Sequence, residues 1–262
     1  MLITLSPSKG QDFSVPMPDA DYSIPAQLDQ SLILIDELRQ YAPPQIESMM
    51  NISENLALLN FERFQQFQTP FNTDNARPAL FAFKGDVYGG IDSASFTRDD
   101  LAYAQEHLRI LSGLYGALRP MDLIQPYRLE MKTRLKNPRG ENLYEFWGNR
   151  ITDKLNEALA QQEQAVLVNL ASNEYYKSVK PKQINGRILN IDFKETKDGK
   201  TRIVAVYAKK ARGMMADFIL RNRIESPEGI QDFDRAGYQY APALSTADRW
   251  VFERPQPSPQ KT

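Results

Sequence analysis

Apolar positions recur with a helical period in some stretches of this chain and as short unbroken runs in others, and each change of period marks an element. A mostly apolar opening at Leu2–Leu5 predicts a strand, followed by a polar, proline-marked loop through Ile24. Residues 25–41 then read as a helix, with Leu28, Leu32, Ile35 and Leu38 on one stripe and Pro43-Pro44 stopping it. Ser53 is placed to cap a second helix through Gln68, whose Leu56, Leu59, Phe64 and Phe67 roughly keep helical spacing. Residues 79–83 predict a strand leading into a glycine-rich loop, and residues 98–111 a helix delivering the chain to a turn at Gly113. A further helix is predicted over 145–161 and a buried strand over 165–170. Strands over 187–193 and 201–208 are joined around Asp198-Gly199, a strong hairpin signal, and residues 209–224 continue as helix. From Pro255 the proline-rich end reads as a disordered tail, residues 255–262. Helices and strands alternate without a regular strand-helix repeat, and no linker separates two halves. The expectation is α+β, a single mixed domain over residues 1–254, and not a doubly wound or barrel fold.

Composition narrows the function classes. With 262 residues and 42% hydrophobic content the chain can bury a sizeable core, and the absence of cysteine removes disulfides, thiolate metal sites and a cysteine nucleophile. The apolar run at the N-terminus is too short for a signal peptide, and no segment approaches a membrane span, which together predict a cytoplasmic protein with no membrane partner. The net charge of −1 conceals an asymmetry. Residues 1–108 carry 6 basic and 15 acidic side chains, while residues 176–223 carry 13 basic and 4 acidic. That distribution predicts a positive face opposite an acidic one, unless the two signs interleave on folding.

The run 111–135, LSGLYGALRPMDLIQPYRLEMKTRL, is too irregular to be only a core element. It reads as a helix end followed by the turn Gly113-Leu114-Tyr115-Gly116, whose glycines permit amide N–H groups to converge on an anion. Arg119, Arg128, Lys132, Arg134 and Lys136 follow, which points to phosphate. A plain helix cap and loop is the alternative. Lys209, Lys210 and Arg212 fall where a strand gives way to a helix, locally unfavourable for cations unless an anion binds there. The loop KGDVYGG offers Lys84, Asp86 and Tyr88, and SPSK adds Lys9. Asp86 could act as a general base, bind a metal, or cap its own loop. Asn169, Ser172, Glu174 and Tyr175 follow a buried strand, so Asp86 and Glu174 are the candidate catalytic carboxylates. His107, the single histidine, reads as a packing residue, so no Ser-His-acid triad, zinc or haem site can be assembled, and only an oxygen-ligand site from Asp86, Glu130 and Glu174 stays open. No metal or other cofactor is expected.

These segments, FKGDVYGG, LYEFWG, NLASNEYYKSVKPK and YAKKARGMM together with the 111–135 run, resemble the YaaA family of peroxide-stress-resistance proteins along the whole chain, from ITLSPSK to about Phe252. The resemblance implies a cytosolic protein that protects bacteria from hydrogen peroxide, binds duplex and branched DNA, and limits free-iron damage. It also implies a mixed fold of its own type with a positively charged cleft and a helix-hairpin-helix element. Gly113 and Gly116 are separated by two residues where such hairpins separate their glycines by one. On this reading Lys9, Lys84, Gly113, Gly116, Arg119, Arg128, Lys132, Lys209, Lys210 and Arg212 contact DNA phosphates with little sequence preference. Two rivals stay open: an enzyme acting on a small anionic or nucleotide-like substrate in the same cleft, and a scaffold for DNA repair proteins.

Overall fold

The computed structural model describes residues 1–257. Its first half runs β1 (Leu2–Leu5), β2 (Gly10–Gln11), α1 (Leu28–Leu38), α2 (Pro43–Met50), α3 (Glu54–Gln66), β3 (Arg77–Pro78), α4 (Ala79–Ala82), β4 (Phe83–Lys84) and α5 (Arg98–His107). There follow β5 (Leu108–Ser112), β6 (Gly116–Leu118), β7 (Leu123–Ile124), α6 (Leu143–Trp147), α7 (Arg150–Leu159), β8 (Val166–Asn169) and α8 (Asn173–Tyr176). The chain ends with β9 (Arg187–Lys197), β10 (Lys200–Arg202), α9 (Ala205–Arg221), β11 (Gln239–Tyr240) and β12 (Arg249–Pro255).

A central sheet has the order β11-β12-β9-β8-β1-β5-β6, with β10 paired to β9. The pairs β5-β1, β1-β8, β8-β9 and β9-β12 are parallel, whereas β6, β10 and β11 are antiparallel additions. The mixed character is as expected, but the arrangement is α/β with a mostly parallel sheet, and not α+β. Every residue of β1 is buried, as a parallel strand covered on both faces requires. Helices α5 and α9 pack on each other and on β1.

Local chemistry explains the elements that formed as expected. The Asp198-Gly199 turn has both residues at positive φ, 52° and 72°, which is the geometry a two-residue hairpin needs. Helix α1 buries Ile35 and Leu38 as its stripe requires. Helix α3 follows Ser53, but turns Ala57, Asn60 and Phe64 inward and leaves Leu56 and Leu59 exposed.

Other elements differ. Of residues 79–83, Ala79–Ala82 form the short helix α4, and only Phe83 is in a strand, opening β4. The helix predicted over 98–111 ends at His107, where Leu108 takes φ −122° and ψ 137° and opens β5. The helix predicted over 145–161 is broken at Gly148 (φ 52°) into α6 and α7. Helix α9 begins at Ala205, so Lys209, Lys210 and Arg212 lie within it and not at its start. Pro255, the first residue of the expected tail, ends β12 opposite Thr196, and residues 258–262 lie outside the described residues. Among the described residues, no helix is long and apolar enough to cross a membrane.

Candidate functional site

Strands β1, β5 and β8 run parallel, so the segments after them, starting at Ser6, Gly113 and Leu170, emerge on one edge of the sheet. Such carboxyl edges, flanking a central strand, are where ligands of open α/β sheets bind. The loops there are tied together by short polar bonds. Ser172 N donates to Ser6 Oγ (2.8 Å), Tyr88 OH to the Ser6 carbonyl (3.1 Å), and Ser112 Oγ bonds Tyr127 OH (2.7 Å).

Glu130 is the hub of the charged groups at this edge. Its carboxylate lies 3.0 Å from Lys9 Nζ, 3.2 Å from Arg128 Nη2 and 3.4 Å from Lys132 Nζ. Burial alone would raise its pKa, but the Lys9 hydrogen bond and the Lys9, Lys132 and Arg128 charges together hold it below the ordinary carboxylate range. Arg128 Nε is buried and has no hydrogen-bond partner among the described residues. Glu174 Oε1 accepts from Lys132 N (3.3 Å), and Tyr144 OH donates to the Glu174 carbonyl (2.9 Å). Burial foremost, and then Tyr127, Glu174 and Glu130, push the Tyr175 phenol well up.

A cleft of about 550 Å³ opens over this cluster, bounded by Lys9, Arg128, Lys132 and Arg134 on one side and by Ser48, Met49 and Asn51 on the other. The second wall is the turn between α2 and α3, where Asn51 closes α2 in the left-handed conformation (φ 50°). Lys132, Arg134 and Lys136 are exposed while Met131, Thr133 and Leu135 are buried, so a two-residue alternation turns every cation of the run outward.

The expected site residues therefore divide. Lys9, Arg128 and Lys132 come together. Lys84 stands opposite Gly10 in the β2-β4 pair, next to Lys9, but lines a separate, mainly apolar cavity of about 660 Å³ with Phe81, Tyr88 and Phe96. Arg119 stands apart: it follows β6, which is antiparallel to β5, and so sits at the opposite edge of the sheet, paired with buried Asp122 (3.2 Å).

The Gly113 turn has a different setting from the helix end expected. It joins the two strands of a β-hairpin, not two helices, and its amides are buried: Leu114 N and Tyr115 N donate to Ser112 Oγ (3.2 and 3.0 Å). A Cβ on Gly113 would meet Leu129 O at 2.3 Å, and one on Gly116 would meet Gln27 Oε1 at 2.3 Å. Gly113 is there so that the Leu129-Glu130 backbone can lie against the turn, with Trp147 Nε1 bonded to its carbonyl (3.0 Å). It shapes the site from beneath.

Lys209 and Lys210 are exposed on α9, and Arg212 is half-buried in another cavity. The KGDVYGG and KKARGMM segments do meet, but through backbone: a Cβ on Gly213 would lie 1.8 Å from Val87 O, and one on Gly90 would lie 2.5 Å from Lys210 O. Asp86 is exposed in that turn. Glu130 and Glu174 both lie against Lys132, but the three carboxylates do not form one set, and among the described residues no group of three or more His, Cys, Asp or Glu side chains could hold a metal ion. His107 packs as expected, stacked on Tyr103 (3.8 Å between centroids) with Nδ1 donating to the Met1 carbonyl (2.9 Å).

Fold and site together define a mostly parallel α/β protein whose polar loops collect at the carboxyl edge of the central strands. The chain belongs to the family described as peroxide stress protein YaaA, whose model matches residues 1–244. It is similar to a UPF0246 protein of Cellvibrio japonicus, 52% identical over 257 residues, which cover 98% of this chain and all of the relative. UPF0246 proteins of Acaryochloris marina and Saccharophagus degradans are also 52% identical, over 254 and 256 residues, covering 97% and 98% of this chain and the full length of each relative.

Proposed function

We propose that this peroxide-stress family member works by binding the phosphate backbone of DNA in the cleft between the α2-α3 turn and the Arg128 to Arg134 segment. One observation carries the reading: Lys9, Arg128 and Lys132 converge on a single carboxylate, with Arg134 on the same wall, leaving an excess of positive charge facing a groove. Two helices joined by a short turn form the other wall, and this pair, not the Gly113 turn, is the element fit for the helix-hairpin-helix role. Contacts of this kind bind with little sequence preference and are weakened by salt. Protection against iron-dependent damage would then follow from occupancy of DNA, and recruitment of repair proteins would be secondary to it.

The test is a mobility-shift titration of duplex and branched DNA with Lys132→Ala/Arg134→Ala. A loss of affinity of similar size on unrelated sequences is expected, and unchanged affinity would remove the cleft from the DNA site. A second reading has its own support: a cleft of about 550 Å³ is of a size that suits a small anionic substrate better than a duplex. Under it, Glu174→Gln leaves DNA binding intact yet fails to restore survival of peroxide-treated cells.

A further inference from the structure

Arg212 is the side chain that the cleft leaves unexplained. It lies inside α9 and lines a cavity of about 580 Å³ together with Tyr176, Asn169, Asn173, Arg249 and Ile191. Its Nε is buried without a hydrogen-bond partner among the described residues, and so is the Tyr176 hydroxyl. Burial pushes the Arg212 guanidinium down and Tyr176 up to about 12, with Asp192 only partly offsetting the former. The carboxylates nearest the cavity mouth are already engaged: Asp192 with Arg249 (2.8 Å) and Asp248 with Arg187 (3.3 Å). Among the described residues, no carboxylate comes within ion-pair distance of Arg212. The Asn169 carboxamide is committed as well, with Nδ2 donating to Asn190 Oδ1 (2.9 Å) and Oδ1 accepting from Ala171 N (3.0 Å).

Arg212 lines the cavity half-buried, with no carboxylate to neutralise it and no hydrogen-bond partner for its guanidinium among the described residues, and a partly shielded cation without a counter-charge is costly to keep. A bound oxyanion would supply that counter-charge. It would accept from the guanidinium fork and from the phenol, and would restore charge balance within the cavity.

We propose that this cavity is a second, separate ligand site that takes the oxyanion group of a small metabolite, held by Arg212 and Tyr176. The site does not depend on the DNA reading. Helix α8 divides the two: Glu174 faces Lys132 in the cleft, and Tyr176, two residues on, lines the Arg212 cavity.

Calorimetric titration with inorganic phosphate and, separately, with acetate tests it. The unaltered protein should take up at least one of them at a single saturable site, and the stronger of the two identifies a tetrahedral or a planar oxyanion. Arg212→Met should weaken that binding about tenfold or more, and Tyr176→Phe by a smaller factor, as loss of a charge-assisted and then a neutral hydrogen bond predicts. Lys132→Ala should leave it unchanged. In anion-free buffer Arg212→Met should melt at the same or a higher temperature, since the charge it removes is unpaired there. No saturable binding of either anion, equal binding by Arg212→Met, or a variant that folds but melts lower without anion would each overturn the proposal. Should Arg212→Met fail to fold, unchanged affinity in Tyr176→Phe would do so.

Discussion

Replacing Glu130 by glutamine removes one negative charge from among three cations while keeping shape and one acceptor oxygen. The Lys9 and Lys132 side chains are 58% and 63% exposed, so each of their pairs contributes well under about 1 kcal/mol once solvent screens it. Arg128, 18% exposed beside a carboxylate that is 10% exposed, forms the shielded pair and carries most of the effect. Together with mutual repulsion among the cations left behind, the loss should come to about 1 to 3 kcal/mol at neutral pH. The sign with pH is fixed by the depressed folded-state pKa. The stabilisation is fully present above the ordinary carboxylate range and is lost as pH falls through the lower folded value, so the two proteins should converge in acid. The same substitution should tighten DNA binding, because the cleft gains a net positive charge. Urea unfolding at neutral and acid pH, with binding measured on the same preparations, checks all three outcomes. A variant as stable as the parent at neutral pH, or a gap that persists in acid, would refute the reasoning about the cluster.

Gly213→Ala places a Cβ against the Val87 carbonyl, which neither α9 nor the facing turn can vacate, and should cost about 3 kcal/mol or more; Gly89→Ala, with nothing within 4 Å of its Cβ, should be close to neutral, and thermal melts of the pair check this. Gly116→Val combines φ +72° with contacts at 2.3 Å to Gln27 and 2.8 Å to Trp147, so it should lower stability by about 2 to 4 kcal/mol while the protein that remains folded binds DNA as before. Burial lowers the pKa of His107, so its ring signals in NMR should titrate below the ordinary 6.5, and stability should fall as pH drops from above that value toward the folded one.

Features set by neighbouring residues were legible in the sequence. The Asp198-Gly199 hairpin, the α1 stripe and the opening strand each follow from local propensity. The helix-to-strand switch at Leu108 was not, because Leu108, Ile110 and Leu111 satisfy a helical stripe as well as a buried strand, and only pairing of Ile3 with Leu108, more than a hundred residues away, decides it. The parallel sheet as a whole rests on such distant pairings, which is why the alternation of elements read as α+β. At the site, Lys9, Arg128 and Lys132 were readable as cations, but their convergence on Glu130 was not. The alternation from Met131 to Lys136 is a sequence signal for it, since it turns Lys132 and Arg134 outward onto the same wall. At Gly113 a close backbone approach leaves the same mark in sequence as an amide-lined anion site, so the sequence alone does not separate the two.

The central claim is that the phosphate-binding charge resides at the carboxyl edge of the sheet. It is tested most directly by the salt dependence of duplex binding in Lys9→Ala/Lys132→Ala/Arg134→Ala set against Arg119→Ala at the opposite edge. The triple variant should lose about 2 to 3 units from the slope of log affinity on log salt, about one per phosphate contact, while Arg119→Ala keeps the parent slope. Equal slopes for the parent and the triple variant, or a drop confined to Arg119→Ala, would contradict it.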